Sequence, residues 1–193
     1  MESLFAIRSC LTQSGSYAGL VARLENLLGA FALALTDRLL GAGPASPGSV
    51  SERAALVTLH AHADRPVSWL GQVLGLTRSG VTRLVDRLVA GGWVTRAPGS
   101  DARSRQLTLS AAGRDQALAV LRARAEAMAG AVRGLSETDR AEFERLLGLV
   151  VRGLAVDVSE ALRVCRLCDR GACASGGFGC PLVDPDGRTD RDD

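Results

Sequence analysis

The sequence predicts a mainly α-helical chain, on three observations. Leucine, alanine, valine and arginine dominate and aromatic residues make up only 4% of the 193 positions, a mixture that suits helices packed through aliphatic stripes. Apolar residues recur at steps of three and four over long stretches near both ends, the period of an amphipathic helix. Runs with strand character are short and confined to the middle. Hydrophobic residues at 47% and charged residues at 23% describe a globular protein long enough to bury one real core.

From Ala18 to Leu40, the residues Leu20, Leu24, Leu27, Phe31 and Leu35 line one face of a long helix, and Leu4 to Leu11 add a further turn or two. The glycine- and proline-rich stretch from Gly41 to Gly48 ends it. Ser51 is the expected N-cap of a shorter helix over Ala54 to His62. After Pro66, Ser68 caps a helix from Trp69 to Leu74 that Gly75 terminates. Leu76 and Thr77 form a tight turn, and Thr77 caps the next helix, Arg78 to Ala90. Val81, Leu84, Val85 and Leu88 form its apolar face; Arg78, Ser79, Thr82, Arg83, Asp86 and Arg87 form the other. Gly91 and Gly92 stop it. Two short strands follow, Trp93 to Arg96 and Gln106 to Leu109, around a polar loop that carries Asp101, Arg103 and Arg105. Ser110 opens a helix to about Arg133. Ser136 with Asp139 resembles a capping box for one last long helix, ridged by Phe143, Leu146, Leu147, Val150, Leu154, Val158 and Leu162.

Helix, tight turn, helix and then a hairpin with a basic loop is the order of a winged helix-turn-helix. Such a fold holds its recognition helix by an apolar face and presents a small or basic face to the major groove. Between Arg65 and Arg105 seven arginines face only Asp86 and Asp101, a surplus of five positive charges in a chain whose formal net charge is +2. The remainder of the chain is therefore net negative, and the basic charge sits where the motif sits.

The run LGLTRSGVTRLVDRLVAGGWVTRAPGSDARSRQLTLSAAGR, from Leu74 to Arg114, resembles the signature of the MarR family of transcriptional regulators. The matching features are the recognition helix, Gly92, a strand ending in Arg96, Asp101-Ala102-Arg103 in the wing, and Leu109-Ser110-Ala111-Ala112-Gly113 at the next helix start. Leu135-Ser136-Glu137 and the apolar helix after it match as well. The resemblance implies a homodimer bound to a palindromic double-stranded operator, with repression the expected role. It implies that Arg103 enters the minor groove with Asp101 orienting its guanidinium, and that Arg78, Ser79, Thr82 and Arg83 face the major groove and neighbouring phosphates. Arg87, Arg96 and Arg105 complete the expected DNA-binding set. The family also implies a small, apolar effector bound between the dimer helices and the DNA-binding part. The N-terminal helix and the last two helices would interlock with a second subunit, and their aliphatic ridges exceed what a small winged helix covers alone.

A cysteine-rich segment departs from that family. Cys165, Cys168, Cys173 and Cys180 fall in a C-x2-C-x4-C-x6-C pattern rich in glycine. A two-residue gap lets two thiolates converge on one ion, and four soft ligands suit tetrahedral zinc or an iron–sulfur cluster. The short knuckle-like spacing puts zinc slightly ahead; the terminal Cys-Pro and the glycine-rich wrap speak for iron–sulfur. Control of DNA affinity by this metal or redox site, or by a small ligand, is the expected regulation. Cys10, beside Leu4, Ile7 and Leu11, reads as a small buried residue, and nothing around His60 and His62 suggests a site.

The domain order expected is residues 1–50 for N-terminal dimerisation, 51–113 for the winged helix-turn-helix, 114–164 for C-terminal dimerisation, 165–181 for the cysteine segment and 182–193 for a mobile acidic tail. No apolar run spans a membrane and the start lacks a secretion pattern, so a cytoplasmic location is expected, with no membrane partner. The alternatives are a thiol oxidoreductase using Cys165 and Cys168, or a winged-helix interaction module. The first lacks the βαβ context such enzymes use, any phosphate loop, zinc-protease helix or serine elbow is missing, and the wing arginines speak against the second. No enzymatic activity is expected.

Overall fold

The structure, a computed structural model, describes residues 23–41, 48–98, 105–174 and 180–182. The chain divides into two units after Arg38. Helix α1 (Arg23–Gly41) contains all of the first unit's described residues and buries none of its own. The expectations placed on Leu4 to Leu11, Cys10, the loop at 42–47, Asp101, Arg103 and the tail beyond residue 182 lie outside the described residues.

The second unit is built around α2 (Val50–Ala61). Its cap is Ser49, two residues before the expected Ser51. The Ser49 hydroxyl accepts from the Glu52 amide at 3.2 Å while the Glu52 carboxylate accepts from the Ser49 amide at 3.1 Å. This reciprocal pair satisfies two of the amides that a helix start leaves without partners, which no bonding from Ser51 would do. Ala54 through Leu59 are all buried, as befits a helix that touches α5, α3, α4 and β3 around its whole circumference.

Helix α3 (Val67–Leu74) starts two residues earlier than Ser68 suggests. Pro66 stands at its cap with no side-chain bond, its fixed φ serving the entry to the helix instead. The helix ends where Gly75 takes a left-handed conformation at φ +64, which places the Leu76 amide 2.9 Å from the Gly71 carbonyl; a side chain at Gly75 would be strained there. Thr77 caps α4 (Arg78–Ala90), its hydroxyl 3.1 Å from the Gly80 amide. The buried face of α4 is Val81, Leu84, Val85 and Leu88, the four positions that the periodicity selects.

The wing strands are β2 (Val94–Pro98) and β3 (Arg105–Leu109), antiparallel with Val94 opposite Leu109 and Arg96 opposite Leu107. A two-residue strand, β1 (Arg65–Pro66), pairs with the other edge of β3 and makes the order β1-β3-β2. It escapes sequence reading because two residues carry no alternation. Leu107 and Leu109 turn inward beside Val94 and join Leu56, Leu59, Leu70 and the α4 face in one core.

Helix α5 (Ala111–Ala131) starts at Ser110, whose hydroxyl accepts from the Gly113 amide at 3.0 Å and donates to the Gly92 carbonyl at 2.7 Å. The expected single helix from Ser136 to Leu162 is two. Helix α6 (Glu137–Arg152) stops at Gly153, and α7 (Val158–Val164) begins afresh with Asp157 accepting from the Glu160 amide at 2.8 Å. The expected box at Ser136 forms by half, since Ser136 accepts from the Asp139 amide at 3.2 Å while the Asp139 carboxylate bonds the Ser136 hydroxyl. A short helix, α8 (Arg170–Ala174), follows. Among the described residues no helix is long and apolar enough to cross a membrane.

Candidate nucleic-acid interface

The polar face of α4 is held outward because its apolar face is fully engaged in the core. Arg78, Ser79, Thr82 and Arg83 are exposed and, with Thr77, line one open depression at the N-terminal end of the helix. Two of the small polar groups are tied back to the helix: Thr82 donates to the Arg78 carbonyl at 2.9 Å, and the Thr77 and Ser79 hydroxyls lie 3.3 Å apart. Neither Arg78 nor Arg83 forms an ion pair with a described residue. Positive charge, hydroxyls and the unpaired amides of a helix start converge there, the combination that binds phosphate and reads base edges.

Other members of the expected DNA-binding set are placed differently. Arg87 reaches back across the head to Glu52 at 2.6 Å. Glu52 is buried at 8% exposure. Burial works to raise its pKa, but the hydrogen bonds from Arg87 and Ser49 and the charge of Arg87 outweigh it and hold the carboxylate below its usual value. Arg87 therefore braces the α2 cap against α4. Arg96 pairs with Asp86 at 2.6 Å, fastening the first wing strand to the recognition helix. Arg105 is exposed at the start of β3. Glu52 escaped the sequence reading, although its place three residues after Ser49 was the legible signal of a capping box.

The chain after α6 returns to this head. Helix α7 packs on α3, and the Arg163 guanidinium covers the Gly75 turn, 3.7 Å from where a Cβ at Gly75 would stand. The buried Thr58 hydroxyl of α2 donates to the Arg166 carbonyl at 3.2 Å. Arg170 donates to the His62 ring nitrogen Nε2 at 2.6 Å; because arginine can only donate, the imidazole there is neutral. Burial first, then the charges of Arg170 and Arg65, depress the His62 pKa in keeping with that.

Cys165 and Cys168 flank one turn, closed by the Cys168 amide on the Cys165 carbonyl at 2.9 Å. The neighbouring Cys165 thiol, then the charges of Arg124 and Arg166, lower the Cys168 pKa to about 6 against the opposing effect of burial. Cys168 first, then burial and the neighbouring Cys180 and Cys173, push Cys165 well up. Burial and then the neighbouring sulfurs push Cys173 up too. Arg124 of α5 approaches the Cys168 sulfur at 3.9 Å. Among the described residues no three potential ligands converge tightly enough to hold a metal ion in this arrangement.

Helix α3, the Gly75 turn, α4 and the β2–β3 hairpin define a winged helix-turn-helix protein. Residues 49–104 match the model of the MarR family. No curated protein sequence matches the chain. Among solved structures, a MarR family protein from Bacillus stearothermophilus is similar at 28% identity and TM-score 0.57, over 66% of this chain and 89% of that one. Wild-type MarR from E. coli is similar at 22% identity and TM-score 0.57, over 67% and 98%. FabT of Streptococcus pneumoniae, solved in complex with DNA, is similar at 21% identity and TM-score 0.56, over 67% and 93%. Over residues 49–104 the chain matches the MarR family, and its fold is similar to that of the winged-helix MarR structures.

Proposed function

We propose that this protein is a cytoplasmic homodimer that binds a two-fold operator in double-stranded DNA and represses transcription by occupying it. The observation that carries this reading is the exposed Arg78, Ser79, Thr82 and Arg83 group, held on the outer face of a helix whose inner face is locked into the core. A wing hairpin tied to that helix by Arg96 and Asp86 stands next to it. The MarR-family match over the same residues supports the assignment. Three antiparallel strands are the only sheet among the described residues, which gives the thiol oxidoreductase alternative no parallel βαβ unit on which to build.

The dimer rests on uncovered apolar surface. Helix α6 buries none of its residues, and Leu146, Leu147, Leu149, Val150 and Leu154 are 40–57% exposed. Aliphatic side chains in such a stripe belong at an interface, and the MarR-family resemblance assigns a second copy as the occupant. Light scattering at micromolar concentration is expected to report twice the chain mass. A monomer there would refute the two-fold operator too, since one head offers only one half-site of a pair spaced about one helical turn apart.

Selection of binding fragments from a random duplex pool, followed by gel-shift titration at fixed salt, tests the DNA reading directly. Recovery of no enriched palindrome would refute it. Arg103 is assigned to the minor groove by the resemblance alone. Arg103→Ala is expected to weaken binding by about 1–3 kcal/mol with an unchanged melting temperature, and an unaltered titration would remove this residue from the interface.

A further inference from the structure

The break at Gly153 redirects the C-terminal cysteines. If α6 ran on to Leu162, Cys165 would extend a dimerisation helix; instead α7 lies on α3, the first helix of the helix-turn-helix. Three contacts then fix the segment to the DNA-binding head. They are Arg163 over the Gly75 turn, Thr58 to the Arg166 carbonyl, and Arg170 to His62. Beyond Cys180, Leu182 is buried at 7% exposure, so the far end of the cysteine run is anchored as well.

We propose that Cys165, Cys168, Cys173 and Cys180 bind one thiolate-ligated metal centre, zinc or an iron–sulfur cluster, and that this centre clasps the C-terminal segment onto the helix-turn-helix. Cys165 and Cys168 form the seed, since one turn, closed by the Cys168 amide on the Cys165 carbonyl at 2.9 Å, carries both on the same short segment. Cys173, on α8, and Cys180, next to the buried Leu182, close on that pair as the ion binds and the thiol protons leave. Four thiolates around a divalent ion carry two surplus negative charges. Arg124 and Arg166 beside Cys168 are placed to offset them. Without the ion, four thiols lose their common partner and the segment keeps only its polar anchors and the packing of Ala161 and Leu182. The turn that sets α4 against α3 then loses part of its cover. Control of DNA binding therefore acts on the head itself and not through the spacing of dimer helices; that step rests on the DNA-binding function proposed above.

The test uses the full chain purified without oxygen. Elemental analysis is expected to find about one zinc per chain in colourless protein, or iron with acid-labile sulfide and visible absorption bands. Absence of both would overturn the metal centre. The double variant Cys168→Ser and Cys173→Ser should hold less than about a tenth of the metal of the parent, because serine is a poor ligand for soft ions. In that variant, hydrogen exchange across α3 and the Gly75 turn should quicken while α6 stays as in the parent. Unchanged exchange in metal-free protein would overturn the clasp. A second variant, Thr58→Val, keeps all four cysteines and removes one anchor. It is expected to retain metal yet exchange faster over α3, and equal rates would again count against the clasp. Metal loss should change operator affinity by about 5- to 150-fold, the usual range of allosteric coupling; an unchanged affinity would overturn the control step. A parent that binds no DNA refutes the proposed function, whereas the metal and exchange results would still decide the site.

Discussion

Replacing Arg78 and Arg83 together by alanine is expected to remove operator binding at physiological salt while leaving the fold intact. Each arginine that reaches a phosphate or a base edge contributes about 1–3 kcal/mol, and the proposed two-fold dimer would present both of them twice. Even about 1 kcal/mol for each of four side chains amounts to ~4 kcal/mol, nearly a thousandfold in affinity. The logarithmic salt dependence should become shallower by about one for every phosphate that is no longer neutralised. Stability should not follow, because both side chains are exposed and neither is ion-paired to a described residue. Arg87→Ala should behave in the opposite way. It leaves the buried Glu52 carboxylate without its arginine, so its first effect is on the melting temperature. A gel-shift series with thermal melts on all three arginines checks the contrast. Operator binding by the Arg78/Arg83 double variant at parental affinity would take the N-terminal end of α4 out of the interface.

Gly113→Ala is expected to be the most damaging added methyl group among the described glycines. A Cβ there would overlap the Trp93 carbonyl oxygen and stand 2.9 Å from its carbon. Both are main-chain atoms, which cannot rotate away as a side chain would. The same carbonyl accepts from the Ser110 amide at 3.0 Å, and the Ser110 hydroxyl holds the Gly92 carbonyl. The approach of α5 to the hairpin base is thus built into the hydrogen bonding. Overpacking of this kind typically costs about 1–3 kcal/mol and occasionally more, offset by ~1 kcal/mol of better helix propensity. With main-chain atoms in the way the cost sits at the upper end, and a net loss of about 2 kcal/mol would lower the melting temperature of a chain this size by about 4–8 °C. Gly130→Ala on the same helix meets nothing within 4 Å and should be neutral or slightly stabilising. A Gly113→Ala protein that melts with the parent would show that the close approach does not hold the hairpin.

Elements that carry their own period or punctuation are legible in the residues alone. The inner face of α4, its Thr77 cap and the Gly75 stop all stand where the residues place them, because a thirteen-residue helix repeats its signal over three turns. Caps were less legible where two serines compete, as at Ser49 and Ser51. There the choice falls to the partner three residues on, Glu52, and to the core that buries it. The strand Arg65–Pro66 exists only because β3 offers an edge. Apolar spacing alone could not separate α6 from α7, since the ridge from Phe143 to Leu162 keeps helical steps through the break at Gly153. What accompanies the break is tertiary: α7 starts anew from its Asp157 cap and lays the buried Ala161 against the head.

The division is the same at the functional residues. Which arginines lie near the recognition helix was readable from position, yet their division between open surface and ion pairs was not. Arg87 and Arg96 find Glu52 and Asp86 only in the folded head, across 35 and 10 residues of chain. The four cysteines announced themselves by spacing. Their seat beside Thr58, His62 and the Gly75 turn depends on contacts spanning as many as 108 residues. Spacing along a chain records local geometry, and only the closed core decides which distant surfaces that geometry will meet.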